Sequence, residues 1–176
     1  MLLSVVGFAL MNLVVKSLSR LPATELVLFR SLVSIVLSYA AIRSKRINPF
    51  GNNRKLLFLR GLFGAIALTL FFYTLQELPI GTAITIQYLS PVFTSLFAIF
   101  LLRERTAPAQ WLFFGISILG ILVIKGFDPD LSPWLFVAGL LSAIFSGLAY
   151  NMIRLVRYTD EAVVVVFYFP LVALPF

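Results

Sequence analysis

Seven long apolar stretches alternate with short polar breaks along the 176-residue chain. Cut at charge clusters and Pro/Gly breaks, they fall at 1–16, 23–42, 57–76, 80–102, 108–125, 134–153 and 161–176. A helix needs about 20 apolar residues to cross the hydrocarbon of a bilayer. Backbone groups in lipid must find partners inside their own segment, which favours helices over an open sheet. The breaks are too short for a soluble domain. The pattern predicts an all-α membrane protein, a polytopic helical bundle with about seven spans.

The fourth stretch breaks the apolar pattern at its centre. Its middle holds Gln87, Tyr88, Ser90, Pro91, Thr94 and Ser95. Wound at 100° per residue, Gln87, Pro91, Thr94 and Ala98 share one stripe, flanked by Ile84, Tyr88 and Ser95. Ile86, Leu89, Phe93, Leu96, Phe97 and Phe100 fill the other side. Pro91 has no N–H for the Gln87 carbonyl and predicts a kink. A carbonyl freed there must be buried or face a watered cavity. Cavity lining is one reading of the stripe. The other is that the hydroxyls bond back to their own helix while Pro91 shapes packing.

Composition agrees with the pattern: 61% of residues are hydrophobic and 12% charged. The chain has no cysteine and no histidine. That excludes disulfides, thiol nucleophiles, imidazole acid/base chemistry and the usual zinc sites. No paired carboxylates lie on an apolar span, and neither an HExxH nor a GxSxG pattern occurs. No enzyme, metal site or cofactor is expected. A carboxylate proton relay at the midplane is not encoded, because every acid lies near a predicted helix end. Facilitated diffusion or exchange, or coupling through groups beyond these residues, is the corresponding expectation.

The net charge of +7 reads as loop orientation rather than nucleic-acid affinity. The connection 43–56 carries Arg43, Lys45, Arg46, Arg54 and Lys55 without an acid, which places it in the cytoplasm. Alternation puts Arg103, Arg105, Arg154 and Arg157 on that side, and Glu77, Asp128 and Asp130 opposite. Lys16 and Arg20, in a short outer turn, dissent. The N-terminus is expected inside. The first stretch lacks a basic flank and a small-residue cleavage site, and is read as a retained span.

The chain also hints at an internal repeat. At a shift of 138 residues, Leu2, Leu3, Ser4 and Leu10 recur as Leu140, Leu141, Ser142 and Leu148, and Lys16 becomes Arg154. A two-residue deletion then lays Glu25 on Glu161, while Asn12 and Asn151 miss by one position. Five spans between equivalent points invert the second copy, the pattern of secondary transporters. On this reading residues 1–125 form a first five-helix repeat and 126–176 begin a second, apparently truncated, repeat. The abrupt end at "LVALPF" fits a fragment of a ten-helix protein.

Other polar positions carry paired readings. Arg30 lies about 10 Å along the second span, where an arginine is either functional or reaches back to the interface beside Glu25. Arg60, nearer the basic loop, is expected to reach that interface. Thr69, Tyr73 and Gln76 share a helix face, with Tyr73 near an aromatic belt. Gly61/Ala65 and Gly139/Ala143/Gly147 read as helix-contact seams. Glu104 in "RERT" is expected to pair with neighbouring arginines or the next helix start.

These residues together resemble the drug/metabolite transporter superfamily, EamA-type. "FALMNLVVK" (8–16) carries Asn12 and Lys16, and "ELVLFRSLVSIVL" (25–37) carries Arg30. Over 60–124 the resemblance rests on Leu78-Pro79, Pro91-Val92, Glu104-Arg105 and Gly115/Gly120. It implies ten helices in two inverted halves, transport of small organic metabolites or drugs, and a cavity to which the third and fourth helices contribute. The chain departs from that pattern in lacking the last three helices. The leading expectation is a secondary, non-ATP transporter of a cell membrane, the bacterial inner membrane, working by alternating access. Its partners would be the lipid bilayer and a small-molecule substrate, with a homodimer left open. Gln87, Tyr88, Thr94, Ser95, Arg30, Tyr73 and Asn12 are the expected cavity residues, and Arg30 would suit an anionic group such as a carboxylate. The alternatives are a non-transporting membrane subunit, a channel component or a truncated remnant.

Overall fold

Prolines and charges punctuate the apolar stretches, and the helices of the computed structural model start and stop at these marks. The structure describes residues 2–104, 107–127 and 132–174. Arg105, Thr106, Asp128, Asp130 and the last two residues of "LVALPF" therefore lie outside the described residues. The elements are α1 (Leu2–Ser17), α2 (Ala23–Ser44), α3 (Arg54–Glu77), α4 (Ile80–Gln87), α5 (Ser90–Leu101), α6 (Pro108–Phe127), α7 (Pro133–Val156) and α8 (Ala162–Ala173). No strand occurs among the described residues. Each of the seven expected stretches carries a helix among the described residues, the fourth as the pair α4–α5. Four spans, α2, α3, α4–α5 and α7, are long and apolar enough to cross a membrane. The shorter α1, α6 and α8 are apolar as well. The molecule is a multi-pass helical membrane protein.

Pro22 and Pro79 stand in extended backbone just before α2 and α4, with ψ of 144° and 138°. Pro108 and Pro133 occupy the first residues of α6 and α7. At such positions a missing N–H removes no helical bond. Asn53 starts α3 by accepting the Leu56 N–H at 3.4 Å.

The fourth span is interrupted at Tyr88 and Leu89, whose backbones stay near the helical region. Leu89 N–H turns back to the Ile86 carbonyl at 3.1 Å, a tighter three-residue step. Pro91 sits in the first turn of α5 and offers no N–H. The two half-helices therefore do not share one continuous wheel.

The bundle is organised around α3 and α7, which make the most extensive helix pair; α8 packs on α3 and α2, and α5 on α7. Small residues allow these approaches. A Cβ at Gly61 would lie 2.8 Å from Val172, and one at Gly147 would lie 2.8 Å from Phe93 Cβ and 2.9 Å from Thr94 N. Close backbone approach of this kind holds helices together where lipid supplies no hydrophobic drive. At the margin, α1 and α6 leave Val5, Val14, Trp111 and Phe113 more than half exposed.

Both ends of the bundle are tied by polar contacts. At the basic-loop end, Asp160 accepts the N–H groups of Asn52 and of Asn53, the latter at 3.2 Å, and Tyr168 donates to the Phe50 carbonyl at 2.9 Å. Gly51, at φ 61°, passes so close that a Cβ would meet Asp160 and Leu57 at 2.5 Å. At the opposite end, Lys16 donates to the carbonyls of Gln76 (2.7 Å) and Leu78 (2.8 Å). The dissenting cation of the short turn thus neutralises the C-terminal carbonyls of α3.

Candidate functional site

A cavity of about 330 Å³ lies in mid-bundle among α1, α2, α3, α4, α7 and α8. Arg30 and Arg60 both line it. Arg30 is seven residues into α2 and Arg60 six into α3. The two helices run in opposite directions, so each Cα stands about 10 Å in from a different end. Both long side chains lean toward the middle. Their guanidinium carbons lie 5.6 and 5.1 Å from the centroid of one ring, Phe169. The expectation that Arg60 reaches back to the interface is thereby corrected: depth from the nearest end does not say which way a long side chain runs.

Neither arginine has an ion-pair or hydrogen-bond partner among the described residues, and the buried Nε of Arg60 is left unpaired. The ion pair found among the described residues joins Arg154 to Glu104, at the basic-loop end. An arginine in a span costs about 3 kcal/mol or more. A cation–π contact returns about 0.5–2 kcal/mol. The ring alone does not offset the cost of two charges, so the contents of the cavity must solvate them.

Gln87 contributes the polar wall opposite. Its Nε2 donates to Ser146 Oγ at 2.9 Å, and Ser142 Oγ lies 3.0 Å from its Oε1 and 2.8 Å from the Ala67 carbonyl. The single Ser142 proton is shared between those acceptors. The carbonyls of the lining residues Gln87 and Val166 lack a helical N–H partner four residues on, because Pro91 and Pro170 stand there. Phe8 and Tyr150 line the cavity while 53% and 52% exposed, so it opens beside them.

Of the expected cavity residues, the structure brings together Arg30 and Gln87. Tyr88 is 71% exposed and Tyr73 37%, and neither lines the cavity. Thr94 Oγ1 bonds back to the Ser90 carbonyl at 2.7 Å, and Ser95 is half-buried outside the lining. Asn12 is 2% exposed on α1, its Oδ1 unpaired, also outside the lining. Pro91 is exposed in the first turn of α5. Residues that sequence reasoning did not select are Arg60, Ser146, Tyr150 and Phe169. A signal for two of them existed: Ser142, Ser146 and Tyr150 recur every four residues, beside the small-residue seam of α7.

The chain resembles known membrane carriers over most of its length. It is 33% identical over 168 residues to the pseudopaline exporter CntI of Pseudomonas aeruginosa, covering 94% of this chain and 59% of that protein. Solute carrier family 35 member G1 of Homo sapiens is 33% identical over 126 residues, 70% of this chain and 34% of that protein. The S-adenosylmethionine uptake transporter of Rickettsia prowazekii is 26% identical over 164 residues, 89% and 52% of the respective lengths. The chain thus spans about a third to three-fifths of these curated relatives. No solved structure matches it significantly. The sequence profile of the EamA-like transporter family matches residues 1–126, and the chain belongs to that family.

Proposed function

We propose that the protein to which this chain belongs is a secondary transporter of small organic molecules, working by alternating access, with the mid-bundle cavity as its substrate site. The observation that carries this reading is the convergence of Arg30, Arg60 and Gln87 on one cavity deep between apolar spans. Polar groups at such depth are expensive unless a pathway needs them. Names of relatives support transport without fixing its direction, since one is an exporter and another an uptake transporter. None of the side chains around the cavity is given a catalytic role.

On this reading residues 1–125 are the first of two inverted repeats and 126–176 open the second, so the site lies where the repeats meet. The basic loop 43–56 faces the cytoplasm of a bacterial cell, with the N-terminus on the same side. Movement would be carried by the interrupted fourth span and resisted by the ties at either end, Asp160 to the α2–α3 loop and Lys16 to the end of α3.

The test is counterflow of a metabolite panel into proteoliposomes holding the complete polypeptide. Gln87→Ala and Arg30→Gln, made singly, should each cut the specific rate about tenfold or more, the loss of roughly 1.4 kcal/mol of binding. Unaltered saturation curves in both variants would remove the cavity from the transport path.

A further inference from the structure

The cavity is not neutral toward its cargo, and the following rests on its reading as a transport site. We infer that it takes an amphipathic organic anion, a carboxylate held between Arg30 and Arg60 with an apolar body lying toward Leu68 and Phe71. Three observations carry this.

The first is the pairing of like charges without a counter-charge. Both guanidiniums pack over Phe169, at 5.6 and 5.1 Å from its centroid, and no acid pairs with either among the described residues. One anion placed between them relieves their mutual repulsion and the cost of burying each. A carboxylate fits the planar, forked donor array of arginine in a way a cation or a neutral amide does not.

The second is an excess of donors. Each guanidinium offers five N–H groups. Gln87 Oε1 is already engaged by Ser142, while the Gln87 amide gives one proton to Ser146 and keeps another. Ser146 accepts that bond and so has its own proton to give. An acceptor-rich head answers this wall.

The third is an apolar wall beside the charges. Arg60 and Phe71 are eleven residues apart on α3, about 16 Å along its axis. Leu68 and Phe71 line the cavity beyond Arg60, at about the depth of Gln87 and of the Arg30 Cα, whose side chain leans away from them toward Phe169. A ligand with its charge beside Phe169 and a hydrocarbon or aromatic body against Leu68 and Phe71 uses both surfaces.

The experiment uses three probes of one shape: 3-phenylpropionate, its neutral amide, and the cationic 3-phenylpropylamine. Thermal unfolding of the complete polypeptide is followed with each, since a ligand that binds the folded state raises the midpoint by mass action. The carboxylate should stabilise at a concentration at least tenfold lower than the amide, and the amine should not stabilise. That preference should vanish in Arg60→Gln and in Arg30→Gln, and return in part in Arg60→Lys. The midpoint without ligand reports whether each variant is folded. An amide as effective as the carboxylate, or an amine more effective, overturns the anion assignment while leaving a binding cavity in place. No stabilisation by any of the three also overturns it, and the counterflow assay with the metabolite panel then judges the transport reading separately.

Discussion

Two groups of buried polar side chains stand within a few helical turns of each other and differ in how they are satisfied. On α7, Ser142, Ser146 and Asn151 each bond inside the protein: to Gln87, to the Ala67 carbonyl, and, through the Asn151 amide, to the carbonyls of Thr94 and Gly147, all between 2.8 and 3.0 Å, while the Asn151 Oδ1 is left unpaired. On α2 and α3, Arg30 and Arg60 have no hydrogen-bond or ion-pair partner among the described residues and pack over the Phe169 ring. The first group joins α7 to α3, α4 and α5. The second adds a cost to the fold that the Phe169 ring offsets only in part. Closed polar bonds in a span hold helices together; unpaired charges lining a cavity are places where something else binds.

The contrast is broken most sharply by substitutions that should separate stability from transport. Arg60→Met removes an unpaired charge and keeps the bulk of the stem. It should leave the unfolding midpoint unchanged or higher while lowering counterflow by about a hundredfold, the equivalent of ~2.7 kcal/mol. Buried charges replaced by apolar groups of similar volume often behave this way. A large drop in the midpoint would mean that Arg60 belongs with the groups that hold helices together.

Gly147→Ala attacks the closed side through packing. Its new methyl would meet Phe93 and the Thr94 backbone at 2.8–2.9 Å, forcing α5 off α7 at a cost of about 1–3 kcal/mol. Reversible unfolding in mixed micelles measures it. Asn151→Leu is gentler, because it removes the donor to Thr94 and leaves that carbonyl without it, at about 0.5–2 kcal/mol. Transport by folded Asn151→Leu should be near normal. The smallest effect belongs to Glu104→Gln. Its pair with Arg154 is partly exposed, at 44% and 36%, and such pairs contribute under about 1 kcal/mol.

The spans were legible because apolar length and charged ends are read directly from sequence: Ala23–Ser44 and Pro133–Val156 lie within a few residues of the stretches expected. Gln87 and Arg30 were legible for the same reason, as polar groups about seven residues inside apolar stretches. The wheel through the fourth span was misleading beyond Gln87. It assumed one continuous helix, whereas the backbone is interrupted at Tyr88 and Leu89; Tyr88 and Pro91 of the expected stripe are exposed, and Leu89 and Val92 are buried. Thr94 met the plainer of its two readings as far as its hydroxyl goes, bonding back within α5. Arg60 was illegible because its direction is set by Phe169, more than a hundred residues along the chain, and by the space that Gly64 leaves beside it.

The most direct test of an open, anion-selecting cavity uses the absence of cysteine from these residues. Ser34, which lines the cavity and is half-buried, becomes a near-isosteric reporter as Ser34→Cys in the protein carrying no other cysteine. Its reaction rates with an anionic and a cationic methanethiosulfonate are measured at low salt, each normalised to an exposed control at Tyr158→Cys. The account predicts that the anionic reagent gains about tenfold over the cationic one, that Arg60→Gln erases most of the gain, and that Ser142→Cys, at a position with no exposure, stays unmodified. Equal normalised rates at Ser34→Cys, unchanged by Arg60→Gln, would contradict it.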